Sequence, residues 1–193
     1  MSFLFRGLTA AAVLGALIAG TTNAKIPDEV RNRIYLKFGA VSPTHDKLRD
    51  VGGVWWTGGA EVLLNSPDDK KVNSVELLYT SKEASSGASE TTLTSTTITL
   101  NRKIRVLSAA QSVGEYIFYY GGGLGLNFSK AKVSDDATPA NSVNSSKTSG
   151  CAKVFVGYEV AHNLEVEAQY NVVFRTNGAF RNDGIYFLLG VKF

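Results

Sequence analysis

The last eight residues of the chain alternate between two kinds of side chain and end on an aromatic residue. Successive side chains of a strand point to opposite faces of a sheet. One face of this segment is apolar and carries Phe187, Leu189, Val191 and Phe193. The other face carries a tyrosine, a glycine and a lysine. Such an ending, in a chain that is exported, is typical of the strand that closes a membrane barrel.

The first 24 residues have the features of a secretory signal peptide. Arg6 supplies a positive charge, residues 7–20 are uncharged and mostly apolar, and residues 22–24 place small side chains at the two positions that a signal peptidase reads. The apolar run is shorter than the roughly 20 residues that a spanning helix needs. We therefore expect 1–24 to be cleaved and 25–193 to form a single domain.

Composition excludes several classes of protein. The net charge is +3, and removal of Arg6 leaves +2 (3 − 1), which gives no basic footprint for nucleic acid. A single cysteine, Cys151, excludes an internal disulfide framework. No other segment approaches the length of a membrane helix, so a membrane location would require a closed barrel.

Alternating patterns separated by polar clusters predict an all-β protein, an eight-stranded antiparallel up-and-down barrel. The predicted strands are 34–42, 53–64, 73–82, 92–106, 115–128, 151–161, 164–175 and 184–193. Polar loops are predicted at 43–52, 83–91, 129–150 and 176–183. The opposite connections, 65–72, 107–114 and 162–163, are shorter on average. Long loops on one side are the outer-membrane pattern, and they place both termini in the periplasm.

One face of the predicted strands is apolar, and the other carries charges and glycines. A soluble lipocalin-like barrel would turn the apolar face inward around a ligand. The glycines favour the opposite arrangement, because a solvent-facing strand position gains nothing from glycine, whereas a narrow interior needs small residues beside large polar ones. The inward charges are then Lys37, Lys103, Arg105, Lys153 and Lys192 with Glu61, Glu76, Glu115, Glu159, Glu165 and Glu167. We expect them to pair and hold the barrel shut rather than to form a gated polar pathway.

Arg102 departs from this pattern, because it shares the outward face with Ile98, Leu100 and Ile104. Two interpretations remain open: the side chain extends to the periplasmic interface, or a bulge reverses the local phase of the strand. Aromatic residues are expected to form the interfacial girdles. These candidates are Trp55, Trp56, Phe118, Tyr119 and Tyr120.

The Gly-rich run 119–126, the hairpin 157–170 and the terminal Phe193 together resemble the small outer-membrane β-barrel family. This broad family includes the OmpX group, the OmpA transmembrane domain and the opacity proteins, and the resemblance covers about 32–193. It implies assembly into the bacterial outer membrane through recognition of the C-terminal strand, with Phe193 contacting the barrel assembly machinery. It brings no catalytic residues, cofactor or metal site.

Other chemistry is weakly supported by the residues. The run 121–125 lies inside a strand and lacks the third glycine of a phosphate-binding loop. His45 and His162 are expected on opposite rims, so neither a His-based metal site nor a catalytic triad is assembled. A lipid A-modifying site with His45 and a loop serine is the enzymatic alternative.

The expected function is therefore that of a non-enzymatic barrel that contributes to envelope integrity and presents loops for adhesion or shielding. Its expected partners are outer-membrane lipid, lipopolysaccharide, the assembly machinery and an extracellular ligand of the four polar loops. The alternative is a narrow passage for small hydrophobic molecules, and a soluble lipocalin-like carrier is less favoured.

Overall fold

A computed structural model shows eight antiparallel strands, each paired with its sequence neighbours, that close into a barrel through β1 and β8. It describes residues 33–44, 53–67, 69–86, 89–106, 117–135, 143–161, 163–174 and 183–192. The strands are β1 (Ile34–Pro43), β2 (Trp55–Leu63), β3 (Lys71–Ser86), β4 (Ser89–Val106), β5 (Ile117–Asp135), β6 (Val143–Ala161), β7 (Leu164–Val173) and β8 (Gly184–Lys192). The predicted fold class is confirmed. Within the described ranges, no helix has the length and apolar character to cross a membrane.

The predicted faces are also confirmed. The inward side chain of Lys37 is 1% exposed, whereas Phe187 on the outer face is 62% exposed. Burial alternates residue by residue along β7 and most of β8. The charged face is therefore inside, and the lipocalin-like arrangement, with apolar residues inside and charges outside, is wrong.

The predicted loops 83–91 and 129–150 are largely strand, so those two predictions are wrong. β3 and β4 pair as far as Ser86 and Ser89, and β5 and β6 extend to Asp135 and from Val143. Ser89 also pairs with Asp135, so the four strands form one continuous sheet above the rest of the barrel. We call this part, 82–86, 89–96, 128–135 and 143–149, the protruding sheet.

Other sequence predictions fall wholly or mainly outside the described residues. These are the signal segment 1–24, residues 45–52 and 175–182 of two predicted loops, Glu115, His45, His162 and Phe193. The short link at 162–163 is supported by its flanks, because Ala161 pairs with Leu164. Such a tight connection joins antiparallel neighbours directly.

Arg102 lies on the outer face without a bulge. Its partners are Asn73 on β3 and Gly122 on β5, and the register is continuous on both sides of it. The side chain is exposed. The interpretation in which a bulge reverses the phase of β4 is therefore wrong, and Arg102 is a charge on the outer surface of the barrel.

Glycines allow close approach inside the barrel. A Cβ at Gly59 would overlap the carbonyl group of Leu77 on the next strand, and a Cβ at Gly157 would overlap the Tyr119 ring. In the first case the glycine admits a neighbouring backbone, and in the second it makes room for a large inward side chain. The preference of the charged face for glycine thus has a steric cause.

The steric argument predicts that Gly59→Ala destabilises the barrel by about 1 to 3 kcal/mol, the usual range for an overpacked site. The matched control is Gly58→Ala in the same strand, because a Cβ there would lie 3.7 Å from the nearest atom, the Lys37 carbonyl oxygen. The measurement is the urea midpoint of each variant refolded in detergent micelles. Equal midpoints for the two variants would contradict the steric role of Gly59.

Candidate functional site

The half of the lumen nearer the shorter connections holds a buried ionic cluster centred on Lys37. Its Nζ lies 2.7 Å from Glu61, 2.9 Å from Glu76, 3.0 Å from Glu167 and 3.4 Å from Glu165. These carboxylates come from β2, β3 and β7, whereas Lys37 is on β1. One ammonium group therefore joins four strands across the interior.

Two further lysines complete the cluster. Lys103 Nζ lies 2.9 Å from Glu165 and 3.8 Å from Glu61, and Lys153 is ion-paired with Glu76. Lys103 Nζ also lies 4.2 Å from the centroid of the Tyr119 ring. The predicted pairing of inward charges is confirmed for these residues.

Neutral donors complete the coordination of Glu167. The Gln169 amide donates to one carboxylate oxygen at 2.8 Å, and the Tyr119 hydroxyl donates to the other at 3.1 Å. The cluster contains three lysines and four glutamates, so it has one more carboxylate than ammonium groups. The two neutral donors stabilise this additional negative charge. A buried charge requires such partners, because its desolvation is costly.

A second ion pair lies towards the shorter connections. Arg105 on β4 binds Glu159 on β6, with its Nε donating to the carboxylate at 2.8 Å. Lys192 is partly buried near the end of β8. Glu115, another of the predicted inward charges, lies outside the described residues.

Apolar layers lie on both sides of the ionic cluster. Towards the shorter connections, Tyr35, Leu63 and Val72 pack together. Towards the protruding sheet, the buried cluster consists of Val41, Trp55, Leu78, Leu93, Tyr186 and Leu188. The lumen therefore contains two layers of apolar side chains as well as the ionic cluster.

The predicted girdle position is wrong for two residues. Trp55 is 2% exposed and Tyr119 is 0% exposed, so both point into the lumen. Adjacent strand residues face opposite ways, and Trp56 is accordingly on the outer surface and 78% exposed. Phe118 and Tyr120 also face outward, and Phe118 packs on Tyr158 with ring centroids 5.2 Å apart.

Polar groups fill the lumen at the base of the protruding sheet. The Asn127 amide donates to Ser95 at 2.7 Å and to Thr97 at 2.9 Å. Thr80 donates to Thr57 at 3.0 Å. These neutral bonds satisfy buried polar groups without introducing charge.

The protruding sheet has two edges without a described strand partner. The last β2–β3 pair is Trp56 with Ser81, and the last β6–β7 pair is Cys151 with Val173. Above these pairs, among the described residues, 84–86 of β3 pair only with β4 and 143–149 of β6 pair only with β5, so each has one edge that no described strand covers. Unpaired strand edges present backbone N–H and C=O groups to other chains.

Among the described residues, no group of three or more His, Cys, Asp and Glu side chains is placed to hold a metal ion. Cys151 is buried at the level where β6 leaves the barrel wall. His45, the histidine of the enzymatic alternative, lies outside the described ranges, and so does His162.

Searches found no matching family model and no significantly similar curated protein. Solved structures do match. The attachment invasion locus protein Ail of Yersinia pestis is 16% identical with a TM-score of 0.55, over 82% of this chain and 93% of Ail. The N-terminal β-barrel domain of Pseudomonas aeruginosa OprF is 12% identical with a TM-score of 0.50, over 84% of this chain and 98% of that domain.

The chain has the fold of the small outer-membrane β-barrels. At this level of identity the similarity concerns the fold. Another structure of Ail, in complex with the heparin analogue sucrose octasulfate, matches with a TM-score of 0.53.

The position of Lys37 predicts that Lys37→Met destabilises this outer-membrane-type barrel by about 3 to 5 kcal/mol, because four buried carboxylates lose their common partner. Lys82→Met is the matched control. The Lys82 ammonium makes an exposed hydrogen bond to the Val54 carbonyl at 3.3 Å, so its loss should change stability by less than about 0.5 kcal/mol. Urea unfolding in lipid vesicles measures both. A Lys37→Met barrel as stable as the control would refute the ionic cluster as the centre of the lumen.

Proposed function

We propose that the protein is a non-enzymatic barrel of a Gram-negative outer membrane, with a closed lumen and a surface-exposed sheet. The observation that carries the proposal is the band of exposed large apolar side chains, which is contributed by all eight strands. A continuous apolar surface of this extent marks contact with lipid or protein. A closed barrel leaves no unpaired strand edge within such a band.

The protruding sheet sets the orientation. It extends from the end of the barrel opposite the short 162–163 link. Outer-membrane barrels have short periplasmic turns and longer extracellular segments, so we place the sheet outside the cell and both termini in the periplasm. In this orientation, outer-membrane lipid contacts the apolar band and lipopolysaccharide surrounds the base of the sheet.

Export and assembly complete the proposal. Residues 1–24 act as the cleaved signal, and 25–193 form the barrel domain. The outward face of β8 carries Phe187 and Leu189, and Phe193 extends the same alternation. We assign to this terminal strand the contact with the barrel assembly machinery.

Protein recovered from bacteria should begin at Lys25 and sediment with the outer membrane, because small residues precede the cleavage point and the apolar band requires lipid. N-terminal sequencing and membrane fractionation with heat-modifiable gel migration are the measurements. Recovery in a soluble fraction, or with residues 1–24 intact, would overturn the proposed location.

The surface role is adhesion or shielding through the protruding sheet. Hydroxyl side chains dominate two of its strands: six of the eight residues of 89–96 and four of the seven residues of 143–149 are Ser or Thr. Its edges at 84–86 and 143–149, which no described strand covers, can accept an extended segment of a partner by strand addition. The binding of a heparin analogue by Ail makes a sulfated saccharide a reasonable second class of ligand to test.

A narrow passage for small hydrophobic molecules is the less favoured function. The apolar cluster at Trp55 and Leu188 lies inside the lumen, but the buried ion pairs of Lys37 lie across the interior towards the periplasm. A hydrophobic molecule would have to displace these pairs, which is costly. The described residues of the wall form continuous strand pairs beside the cluster.

A shortened variant tests the surface role. Glu83 and Thr92 are paired, as are Lys130 and Ser146, so each pair can be joined by a two-residue Asn-Gly turn. The barrel should still fold, because the removed residues lie above the apolar band. Bacteria that display this variant should lose binding to immobilised extracellular-matrix proteins and heparin, measured at matched surface expression. Binding equal to that of the full-length barrel would contradict a role of the protruding sheet.

A further inference from the structure

Three polar side chains interrupt the apolar outer surface at its periplasmic end. Lys71 and Asn73 on β3 and Arg102 on β4 are exposed and face outward. The outward residues that surround them on the same strands are Val75, Leu100 and Ile104. A charge on the lipid-facing side of a barrel is unfavourable near the mid-plane and tolerated near an interface.

The register brings the three side chains together. Asn73 is directly opposite Arg102, and Lys71 is opposite Ile104, the next outward residue of β4. Diagonal neighbours in an antiparallel pair are within reach of long side chains. The ammonium of Lys71 and the guanidinium of Arg102 therefore border a common area of surface.

Neither cation is neutralised by the part of the chain that the structure describes. The cations of the ion pairs seen in the described ranges, Lys37, Lys103, Arg105 and Lys153, lie inside the barrel, and neither Lys71 nor Arg102 is among them. Two adjacent like charges repel unless an anion lies between them. The pair thus presents an unmatched positive surface.

The neighbouring strand leaves an open depression beside Arg102. Its partner on β5 is Gly122, and a Cβ built there would come within 4 Å of the Lys153 carbonyl oxygen only, at 3.1 Å. No side chain lies over this glycine at that distance. Leu124 and Val154 border the depression with apolar groups, as an acyl chain requires.

The depth of the patch matches a lipid headgroup. Tyr120 is opposite Ile104, one outward residue from Arg102 towards the periplasm, and it is near the Phe118 ring, with centroids 6.5 Å apart. Tyrosine and other aromatic residues mark the level of the headgroups. A long arginine side chain just inside this level can place its charge among the headgroups.

We propose that Lys71, Asn73 and Arg102 bind the phosphodiester of an anionic phospholipid in the periplasmic leaflet, with an acyl chain over Gly122. The two cations bind the phosphate oxygens, the Asn73 amide donates a hydrogen bond, and the lipid tail covers the bare backbone. This inference rests on the proposed membrane location and orientation.

The test uses the full mature barrel reconstituted in phosphatidylcholine nanodiscs that contain a minor fraction of phosphatidylglycerol. Native mass spectrometry measures the ratio of retained phosphatidylglycerol to phosphatidylcholine. Each basic residue near a membrane surface should contribute an enrichment of roughly fivefold. Lys71→Gln and Arg102→Gln should each lower the ratio by about that factor, and Arg102→Lys should retain most of it.

The matched control is the double variant Lys130→Gln/Lys132→Gln. These lysines are also exposed and outward-facing, but they lie on the protruding sheet at the other end of the barrel. The control should keep the wild-type ratio, and added inorganic phosphate should not reduce it. A lower ratio only in the control would place the lipid site at the wrong end, and competition by inorganic phosphate would show a site for free anions; either result overturns the proposal.

Heat-modifiable migration of the same samples separates the two levels of inference. Failure of the wild-type barrel to insert would overturn the proposed membrane function. Insertion with equal phosphatidylglycerol ratios for wild type and Arg102→Gln would overturn the lipid site and leave the membrane function intact.

Discussion

The contacts of the Lys37 ammonium with four carboxylates connect the wall of the barrel through its interior. β1, β2, β3 and β7 meet at this group, and Lys103 and Lys153 bring β4 and β6 into the same cluster. Tyr119 adds β5 through its hydrogen bond to Glu167. On β8, Gly190 leaves the space that Glu165 occupies. The interior packing thus involves every strand.

Buried ion pairs often add little net stability, because the desolvation of both charges offsets their attraction. Their stronger effect here is on register. A one-residue slip of a strand moves every side chain to the opposite face, which would place Lys37 or Lys153 on the apolar outer face and bring Phe38 or Val154 into the ionic cluster. The charges therefore specify one strand arrangement out of the many that the hydrogen bonds of a barrel allow.

Much of this arrangement could be predicted from the sequence, because alternation along a strand separates its two faces and the glycines identify the face that points inward. The inward position of the core charges followed from these two observations together. Trp55 and Tyr119 were assigned to the interfacial girdles because they are aromatic, and the alternation along their strands was not applied to them. Trp56 faces outward, so its neighbour Trp55 must face inward. The inward apolar cluster around Leu93 was missed for a related reason, since its strand is rich in threonine on both faces and shows little contrast.

The protruding sheet could not be predicted in the same way. Ser and Thr lie on both faces of 89–96 and 143–149 and resemble those of loops, and the buried Leu93 is the one apolar residue of 89–96, so the two faces show little contrast. The pairing of Ser89 with Asp135 depends on partners far apart in the sequence. Arg102 is the opposite case: the sequence identified the exception, and the continuous register on both sides of it decided between the two interpretations.

The strands extend to unequal heights above the barrel mouth, so the two sides of the rim differ. β3 to β6 form a wall on one side of the rim, whereas β1, β2, β7 and β8 end near the barrel mouth in the described residues. A large molecule that arrives from above meets the wall on one side and an open approach on the other. At the proposed location in an outer membrane, rotation of the barrel about its own axis would then control which neighbours can reach the inner side of the wall. Recognition would depend on direction within the membrane plane as well as on distance from it.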